Sequence, residues 1–235
     1  MKLHHPRTQP SRGFTLVELL VTISIIAVLA ALTFLGTSSL IKKAAASKDT
    51  STMRQVSLFI NMYAADNNDY LPGPLFTRQN PIYNKALSKN PREWRRLADC
   101  VATYAGYENP KSGDFIQTMA ASWQKESNPQ SLTASSYYMQ QALPLGENGS
   151  TTQCPWGLPA PASNDDRLPM KLQAVLAQPK TARTWAMTEL DQTHPAITNP
   201  SLKEGTPEGM AHGTYRLALY FDGTVGKVNQ DNKPL

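Results

Sequence analysis

A single carboxylate, Glu18, interrupts an otherwise uncharged apolar segment near the N-terminus. The segment runs from Phe14 to Leu35, and its 22 residues are enough to cross a bilayer core, which takes about 20. A carboxylate inside such a span costs a few kcal/mol, so we expect it to be paired. Cleavage between Gly13 and Phe14 would create an ammonium group about one helical turn from Glu18. Glu18 could neutralise its own terminus or that of a neighbouring subunit, and only the second pairing provides a route to self-assembly.

His212 and Asp222 are the next residues whose types could do chemistry. A strand joining them would span roughly 33 Å at 3.3 Å per residue, so the two side chains could not share a proton. We interpret them as structural, with His212 at a strand entry and Asp222 shaping a turn with Gly223. The chain has no Gly-x-Ser-x-Gly elbow and no zinc-ligand spacing, and His194 and His212 lack close acidic partners in the sequence. The sequence therefore predicts no catalytic residue and no firm metal site.

A long helix is needed to position Glu18. The chain from 36 to 68 contains no proline, and its single glycine is Gly36. We expect a helix from Phe14 to about Asn67, divided into a membrane span (14–35) and an amphipathic continuation (36–68). Apolar residues recur three or four positions apart in the continuation and predict one buried face: Met53, Val56, Ile60 and Tyr63.

Residues 69–235 are expected to form a globular head. Asp222 and Gly223 separate two strand-like stretches, residues 214–221 and 224–228, and this pattern predicts a β-hairpin. Residues 183–190 predict a further strand. We therefore expect an α+β fold in which a small antiparallel sheet packs against the C-terminal half of the long helix.

The rest of the head is rich in Pro, Gly, Asn and Ser, and its elements are short. Apolar spacing predicts a helix within 92–105, and a second helix is predicted at 115–125. Residues 155–166 are expected to form an irregular loop.

The composition points away from nucleic acid as a partner. Charged residues make up 17% of the 235 residues, against roughly 25% in typical domains, and a weakly charged polar surface suits an extracytoplasmic protein. The net charge is +5, but three basic residues precede the apolar segment, which leaves 20 basic and 18 acidic residues elsewhere. Nucleic-acid binding needs a concentrated basic face, and a packed helix face explains the one candidate cluster equally well: Arg92, Trp94, Arg95 and Arg96.

The stretch RGFTLVELLV, residues 12–21, resembles the class III signal of type IV pilins and type II secretion pseudopilins. The resemblance implies that a membrane prepilin peptidase cuts after Gly13 and methylates the new amine of Phe14. The family has a glutamate at the fifth mature position, which is Glu18 here. A plain uncleaved anchor is the alternative for this segment.

The C-terminal region carries a second resemblance. His212, nine further residues, and then Asp222-Gly223 resemble the His-x9-Asp-Gly signature of a large bacterial subgroup of pilin-like proteins. This signature implies a structural role rather than an active site.

Together these resemblances imply a pilin-like fold and a structural subunit, a pseudopilin, rather than an enzyme. The implied assembly is a type II secretion pseudopilus or a type IV pilus-like fibre. Its implied partners are the prepilin peptidase, other pilin-like subunits and the inner-membrane assembly platform. The implied location is the inner membrane, crossed once, with a cytoplasmic leader (1–13) and an extracytoplasmic head. The alternative is a membrane-tethered binding or enzymatic head that uses the same leader.

The resemblance also raises the question of calcium. Some secretion pseudopilins hold a calcium ion near the C-terminus, and Asp222, Asn229 and Asp231 could supply oxygen ligands here. Residues 164–166, Asn-Asp-Asp, form a second oxygen-rich stretch. Solvated turns explain both groups equally well. The sequence therefore leaves a calcium site open and predicts no other cofactor.

Cys100 and Cys154 make an even count, and an extracytoplasmic head would lie in an oxidising compartment. A disulfide between them would stabilise the head by roughly 4 kcal/mol in the chain-entropy model. Two independent buried thiols are the alternative.

Overall fold

The computed structural model describes residues 13–88, 94–124, 134–145, 151–158, 168–178, 184–200 and 203–235. The chain divides into two compact units, Met1–Lys43 and Ala44–Leu235, and the second is called the head unit below.

The helix α1 (Leu16–Asp66) has 51 residues and corresponds to the helix predicted from Phe14 to about Asn67. It continues through Gly36 without a break. Within it, the segment Leu16–Thr33 has a mean hydropathy of 2.5 and is long and apolar enough to cross a membrane. The large apolar side chains of this segment are exposed, so lipid or other protein chains would stabilise it by covering them.

The part of α1 in the head unit buries one face and exposes the other. Leu58 and Met62 lie on the exposed face. The helix ends at Asp66, after which Asn68 and Asp69 adopt left-handed φ angles of 55° and 70° that close the turn. The predicted Tyr63 is only partly buried and packs against the core, and the next residue, Ala64, is buried instead. The buried positions recur every three or four residues and confirm an apolar face: Met53, Val56, Ile60 and Ala64.

The head unit is an α+β structure, as predicted. Its larger sheet is antiparallel, with five strands in the order β1-β2-β5-β6-β7, and β3 and β4 pair separately. The sheet contributes to the same core as the buried face of α1. The strands in the described residues are short: β1 (Arg78–Gln79), β2 (Tyr137–Met139), β3 (Leu143–Leu145), β4 (Thr151–Gln153), β5 (Trp185–Glu189), β6 (Arg216–Tyr220) and β7 (Val225–Val228).

Strand β6 is buried on both faces. Leu217 and Leu219 belong to the core that contains the buried face of α1. Ala218 and Tyr220 point the other way and pack with Trp185. This alternation is the period of two that the sequence predicted for residues 214–221, over a shorter strand.

The predicted hairpin between β6 and β7 is present. Leu219 pairs with Val225 across it. In the turn, Gly223 has a φ of 84°, which glycine adopts without strain, and the backbone N–H of Thr224 donates to Asp222 Oδ1 at 2.9 Å.

The helices of the head differ from the sequence predictions. Among the described residues they are α2 (Lys85–Ser88), α3 (Leu97–Val101) and α4 (Leu172–Leu176). The helix predicted within 92–105 is the shorter α3, and residues 89–93 lie outside the described part. The prediction of a helix at 115–125 is wrong.

The described part of this segment, residues 115–124, folds as a bridge and a turn instead. Phe115 forms an isolated β-bridge with Ile82, and only Gln117–Met119 make one 3₁₀ turn. The apolar side chains here are buried on consecutive positions, Met119, Ala120 and Ala121, so they never form the one-sided stripe that a surface helix needs. Of the predicted loop 155–166, the described part ends at residue 158.

Candidate functional site

The bond between Gly13 and Phe14 lies in an exposed, non-helical segment just before α1. A peptidase needs such a segment, because helical hydrogen bonds would shield the peptide bond. A Cβ added at Gly13 would meet no atom within 4 Å. Packing against the described residues therefore does not require glycine at this position.

Glu18 forms a capping box with Thr15 at the start of α1. The backbone N–H and the hydroxyl of Thr15 donate to Glu18 Oε2 at 2.9 and 2.8 Å, and the N–H of Glu18 donates to Thr15 Oγ1 at 3.2 Å. These reciprocal bonds satisfy donors that a helix start otherwise leaves unpaired. Sequence reasoning missed this role of Thr15, although the Thr-x-x-Glu spacing before an apolar run is its signature.

The capping box would leave Glu18 able to bind the ammonium group that cleavage after Gly13 creates. The new ammonium group of Phe14 would be adjacent to Thr15, whose N–H already binds the Glu18 carboxylate. The carboxylate has further lone pairs, so it can cap the helix and still accept a charged donor. In apolar surroundings that bond would join two opposite charges, so it would be stronger than the capping bonds, in which only the carboxylate is charged.

The family model of the prokaryotic N-terminal methylation motif matches residues 9–34. The chain carries a prepilin-type signal. The matched range contains Gly13, Phe14, Glu18 and the apolar part of α1, and it anchors the chain's likeness to pilin-like proteins that a prepilin peptidase processes. No curated protein and no solved structure has significant similarity to the chain. The match does not reach the His-x9-Asp-Gly residues, so that signature remains a resemblance.

The structure separates His212 from Asp222, but not by a ten-residue strand. Strand β6 begins only at Arg216, so His212 lies in the preceding loop and Asp222 lies in the turn after the strand. His212 Nε2 is 2.9 Å from Glu189 Oε1 and 3.6 Å from Asp49 Oδ2. His212, which has no acidic residue close to it in the sequence, therefore has two acidic partners in the fold. Its partners come from β5 and α1, and sequence spacing could not reveal them.

Asp49, Glu189 and His212 form a buried acid–histidine cluster. Their side chains are at most 2% exposed. The hydroxyl of Ser122 donates to Asp49 Oδ2 at 2.6 Å, and the backbone N–H of Leu217 donates to Glu189 Oε2 at 2.7 Å.

Burial and partners set the protonation of this cluster. Burial raises the pKa of Glu189 above its usual range, against the opposing effect of its hydrogen bond to His212. Burial alone would lower the pKa of His212. The hydrogen bond and charge of Glu189, together with the charge of Asp49, outweigh burial and raise the pKa of His212.

A second buried network lies beside the cluster. The guanidinium of Arg216 is fully buried and donates from Nη2 to Asp191 Oδ1 at 3.0 Å. His194 Nε2 is 2.9 Å from Asn232 Nδ2 and 3.3 Å from Thr188 Oγ1. Burial lowers the pKa of His194 to about 4, with the charge of Arg216 acting in the same direction. This network joins β5, β6 and the C-terminal turn, and the sequence did not predict it.

The structure does not bring Asp222 together with Asn229 and Asp231, the residues considered for calcium. Asp222 precedes β7 and Asn229 follows it, so the two lie at opposite ends of the strand. Asn229 Oδ1 already accepts from the backbone N–H groups of Asp231 and Lys233, at 3.0 and 2.9 Å. These residues shape turns. The second oxygen-rich stretch, 164–166, lies outside the described residues.

The structure does not join the two cysteines. Cys100 and Cys154 are both buried free thiols. The Cys154 thiol donates to Gln141 Oε1 and to the Gly157 carbonyl, each at 3.3 Å. Burial raises the pKa of Cys100 to about 12, so this thiol stays protonated. The structure therefore has two separately packed thiols in place of the expected disulfide.

The basic cluster considered for nucleic acid is used inside the head. Arg95 is only 7% exposed, and Arg96 donates from Nη1 to the Ile82 carbonyl at 2.9 Å. Trp94 stacks on Phe76 with ring centroids 5.7 Å apart. Arg92 lies outside the described residues.

Proposed function

We propose that this protein is a pilin-like structural subunit, a pseudopilin, that is built into a type II secretion pseudopilus or a type IV pilus-like fibre. One observation carries the proposal: an exposed, non-helical Gly13-Phe14 bond precedes an exposed apolar helix with a single carboxylate at Glu18. The methylation-motif match covers this same region.

The proposed life cycle has three stages. The apolar segment of α1 first anchors the chain in the inner membrane, with the leader in the cytoplasm and the head outside. The prepilin peptidase then cuts after Gly13 and methylates Phe14. The assembly platform finally moves the subunit from lipid into a fibre, where neighbouring helices cover the side chains that lipid covered before.

Glu18 sets the register of the fibre in this proposal. Inside an apolar bundle its carboxylate pairs with the Phe14 ammonium of a neighbouring subunit, because an unpaired buried charge is strongly penalised. The Thr15 capping box holds the carboxylate in place before a neighbour arrives.

The head serves as a folded scaffold rather than as an enzyme in this proposal. Two of the buried polar side chains described between residues 75 and 180 are bonded to the backbone. Gln79 Oε1 accepts from the N–H of Leu97 at 2.6 Å, and Gln124 donates to the Ala134 carbonyl at 3.0 Å. Side chains committed to the backbone in this way are poorly placed to bind a substrate.

Three substitutions test the role of Glu18 in a reconstituted fibre assay. Glu18→Ala and Glu18→Gln should both be processed but fail to assemble, because losing one partner of a buried ion pair costs about 3–5 kcal/mol. Glu18→Gln keeps an oxygen that can cap the helix, so it separates charge from capping. Thr15→Val removes the capping hydroxyl, keeps the charge, and should assemble. Assembly by Glu18→Gln together with failure of Thr15→Val would show that capping, not pairing, is what Glu18 supplies.

A substitution at the cleavage site tests the processing step separately. Gly13→Ala should abolish cleavage by a prepilin peptidase in isolated membranes. Because a Cβ at this position meets no neighbour, the head should fold as in the unsubstituted chain. Efficient cleavage of this variant would contradict the role given to Gly13.

A further inference from the structure

The buried acid–histidine cluster has the donor set of a metal site. Three ligand atoms, one each from Asp49, Glu189 and His212, lie within 4.8 Å of one another. They come from three separate places in the head unit: α1, the end of β5, and the loop before β6. Among the residues that the structure describes, this is the one group of three metal-ligating side chains brought so close together.

The distances in the cluster suit a tetrahedral ion. His212 Nε2 lies 2.9 Å from the Glu189 oxygen and 3.6 Å from the Asp49 oxygen. Ligands placed about 2.1 Å from a tetrahedral zinc ion are about 3.4 Å apart, which falls between these two values. Small movements of the side chains would therefore create a coordination site without moving the backbone.

The charge of the cluster also calls for a cation. Two buried carboxylates face one imidazole, so even a protonated His212 leaves one negative charge uncompensated. Lys227 does not supply this cation, because its side chain is exposed. Its Nζ lies 4.4 Å from the centroid of the Tyr215 ring, which stacks on His212. A divalent ion bound to a neutral His212 would balance both carboxylates.

A fourth side chain points to a ligand independently. Tyr137 is 2% exposed, and its hydroxyl has no hydrogen-bond partner among the described residues. Tyr137 is the cross-strand neighbour of Glu189 and interacts electrostatically with both Glu189 and Asp49. A buried hydroxyl without a partner is costly. A water molecule held by an ion at the cluster would give this hydroxyl a partner.

We propose that Asp49, Glu189 and His212 bind one zinc ion, with water as the fourth ligand beside the Tyr137 hydroxyl. One imidazole with two carboxylates suits zinc better than calcium or magnesium, which prefer oxygen ligands alone. The ion fastens α1 to the sheet and stabilises the head. All four residues lie in the head unit, so this site does not depend on the proposed role in fibres.

The full chain in detergent, freed of metal by a chelator, provides the test. His4→Gln and His5→Gln are included to remove the leader histidines, and no histidine tag is used. Zinc titration should give one ion per chain by elemental analysis. Free zinc at 100 times its dissociation constant should shift the unfolding equilibrium about 100-fold toward the folded state. Less than a tenth of an ion per chain, or no shift in unfolding, would overturn the proposal.

Two variants assign the bound ion to the cluster. His212→Gln should bind zinc on the order of 100-fold or more weakly, whereas His194→Gln, which changes the other histidine of the head, should bind as before. Equal binding by His212→Gln and the parent would overturn the assignment. If His212→Gln does not fold, X-ray absorption of the zinc-loaded parent decides: one imidazole with oxygen ligands supports the site, and sulfur or two imidazoles contradicts it.

Discussion

One helix presents apolar side chains to two different surroundings. Between Leu16 and Thr33 the large apolar side chains of α1 are exposed, and no residue of this segment is buried. In the head unit the same helix buries Met53 and Val56 completely in a core shared with the sheet. The first stretch must obtain its cover from outside the chain, whereas the second already has it.

The difference explains what each stretch can do. A buried face contributes to stability and cannot also be an interface. An exposed apolar stretch is unstable in water, and in the proposed function it exchanges one cover, lipid, for another, neighbouring helices. Glu18 belongs to the exposed stretch, and its charge adds a requirement for a specific partner that apolar contact alone would not impose.

The largest expected effect is on the buried side of this comparison. Met53→Ala should lower the free energy of unfolding of the head by about 2–5 kcal/mol, because Met53 is completely buried. Leu58→Ala, on the exposed face of the same helix, should change it by no more than about 0.5 kcal/mol. Urea unfolding monitored by circular dichroism measures both. Equal losses for the two variants would contradict the assignment of faces.

The next effect concerns the exposed stretch. Ile25→Lys places a charge near the middle of the apolar segment, where a lysine costs about 2.5–3.5 kcal/mol on insertion scales. We expect a clear loss from the membrane fraction with the head still folded. Leu58→Lys, which also replaces an aliphatic side chain with lysine but on exposed head surface, should stay in the membrane fraction. Full retention of Ile25→Lys would argue against a role for this stretch as a span.

The elements that the sequence predicted are those long enough for their hydrophobic pattern to repeat several times. The buried face of α1 repeats over three turns, and β6 with β7 alternates around an Asp-Gly turn, so local spacing carries their pattern. Strands β1 to β4 have two or three residues each, too few for a period to show.

The candidate sites also differ in how much of them the sequence could predict. Gly13, Phe14 and Glu18 are close together in the sequence, so their relation could be predicted from it. The cluster of Asp49 and Glu189 with His212 exists only after α1, β5 and a distant loop have packed together.

The smallest expected effect is a dependence of head stability on pH. His194 is buried, and its pKa is lowered from 6.5 to about 4. Above pH 6.5 both folded and unfolded states hold this group neutral, and its contribution is complete. As the pH falls toward 4, the unfolded state takes up a proton that the folded state resists, so stability is lost.

Urea unfolding at a series of pH values between 7 and 4 measures this loss. His194→Gln should show a shallower decline than the parent chain, whatever its stability at pH 7. The exposed stretch should be insensitive to this change, with the same membrane retention in both proteins. An identical decline in the two chains would show that His194 is not the titrating group.

The N-terminus of the processed chain shows directly whether a prepilin peptidase cuts after Gly13 and methylates Phe14. The full chain is co-expressed with a prepilin peptidase, recovered from membranes and measured by intact-mass and N-terminal peptide mass spectrometry. We predict a chain that begins at Phe14 and carries one added methyl group on its amine. A chain that still begins at Met1, or one cut at a different bond, would contradict it.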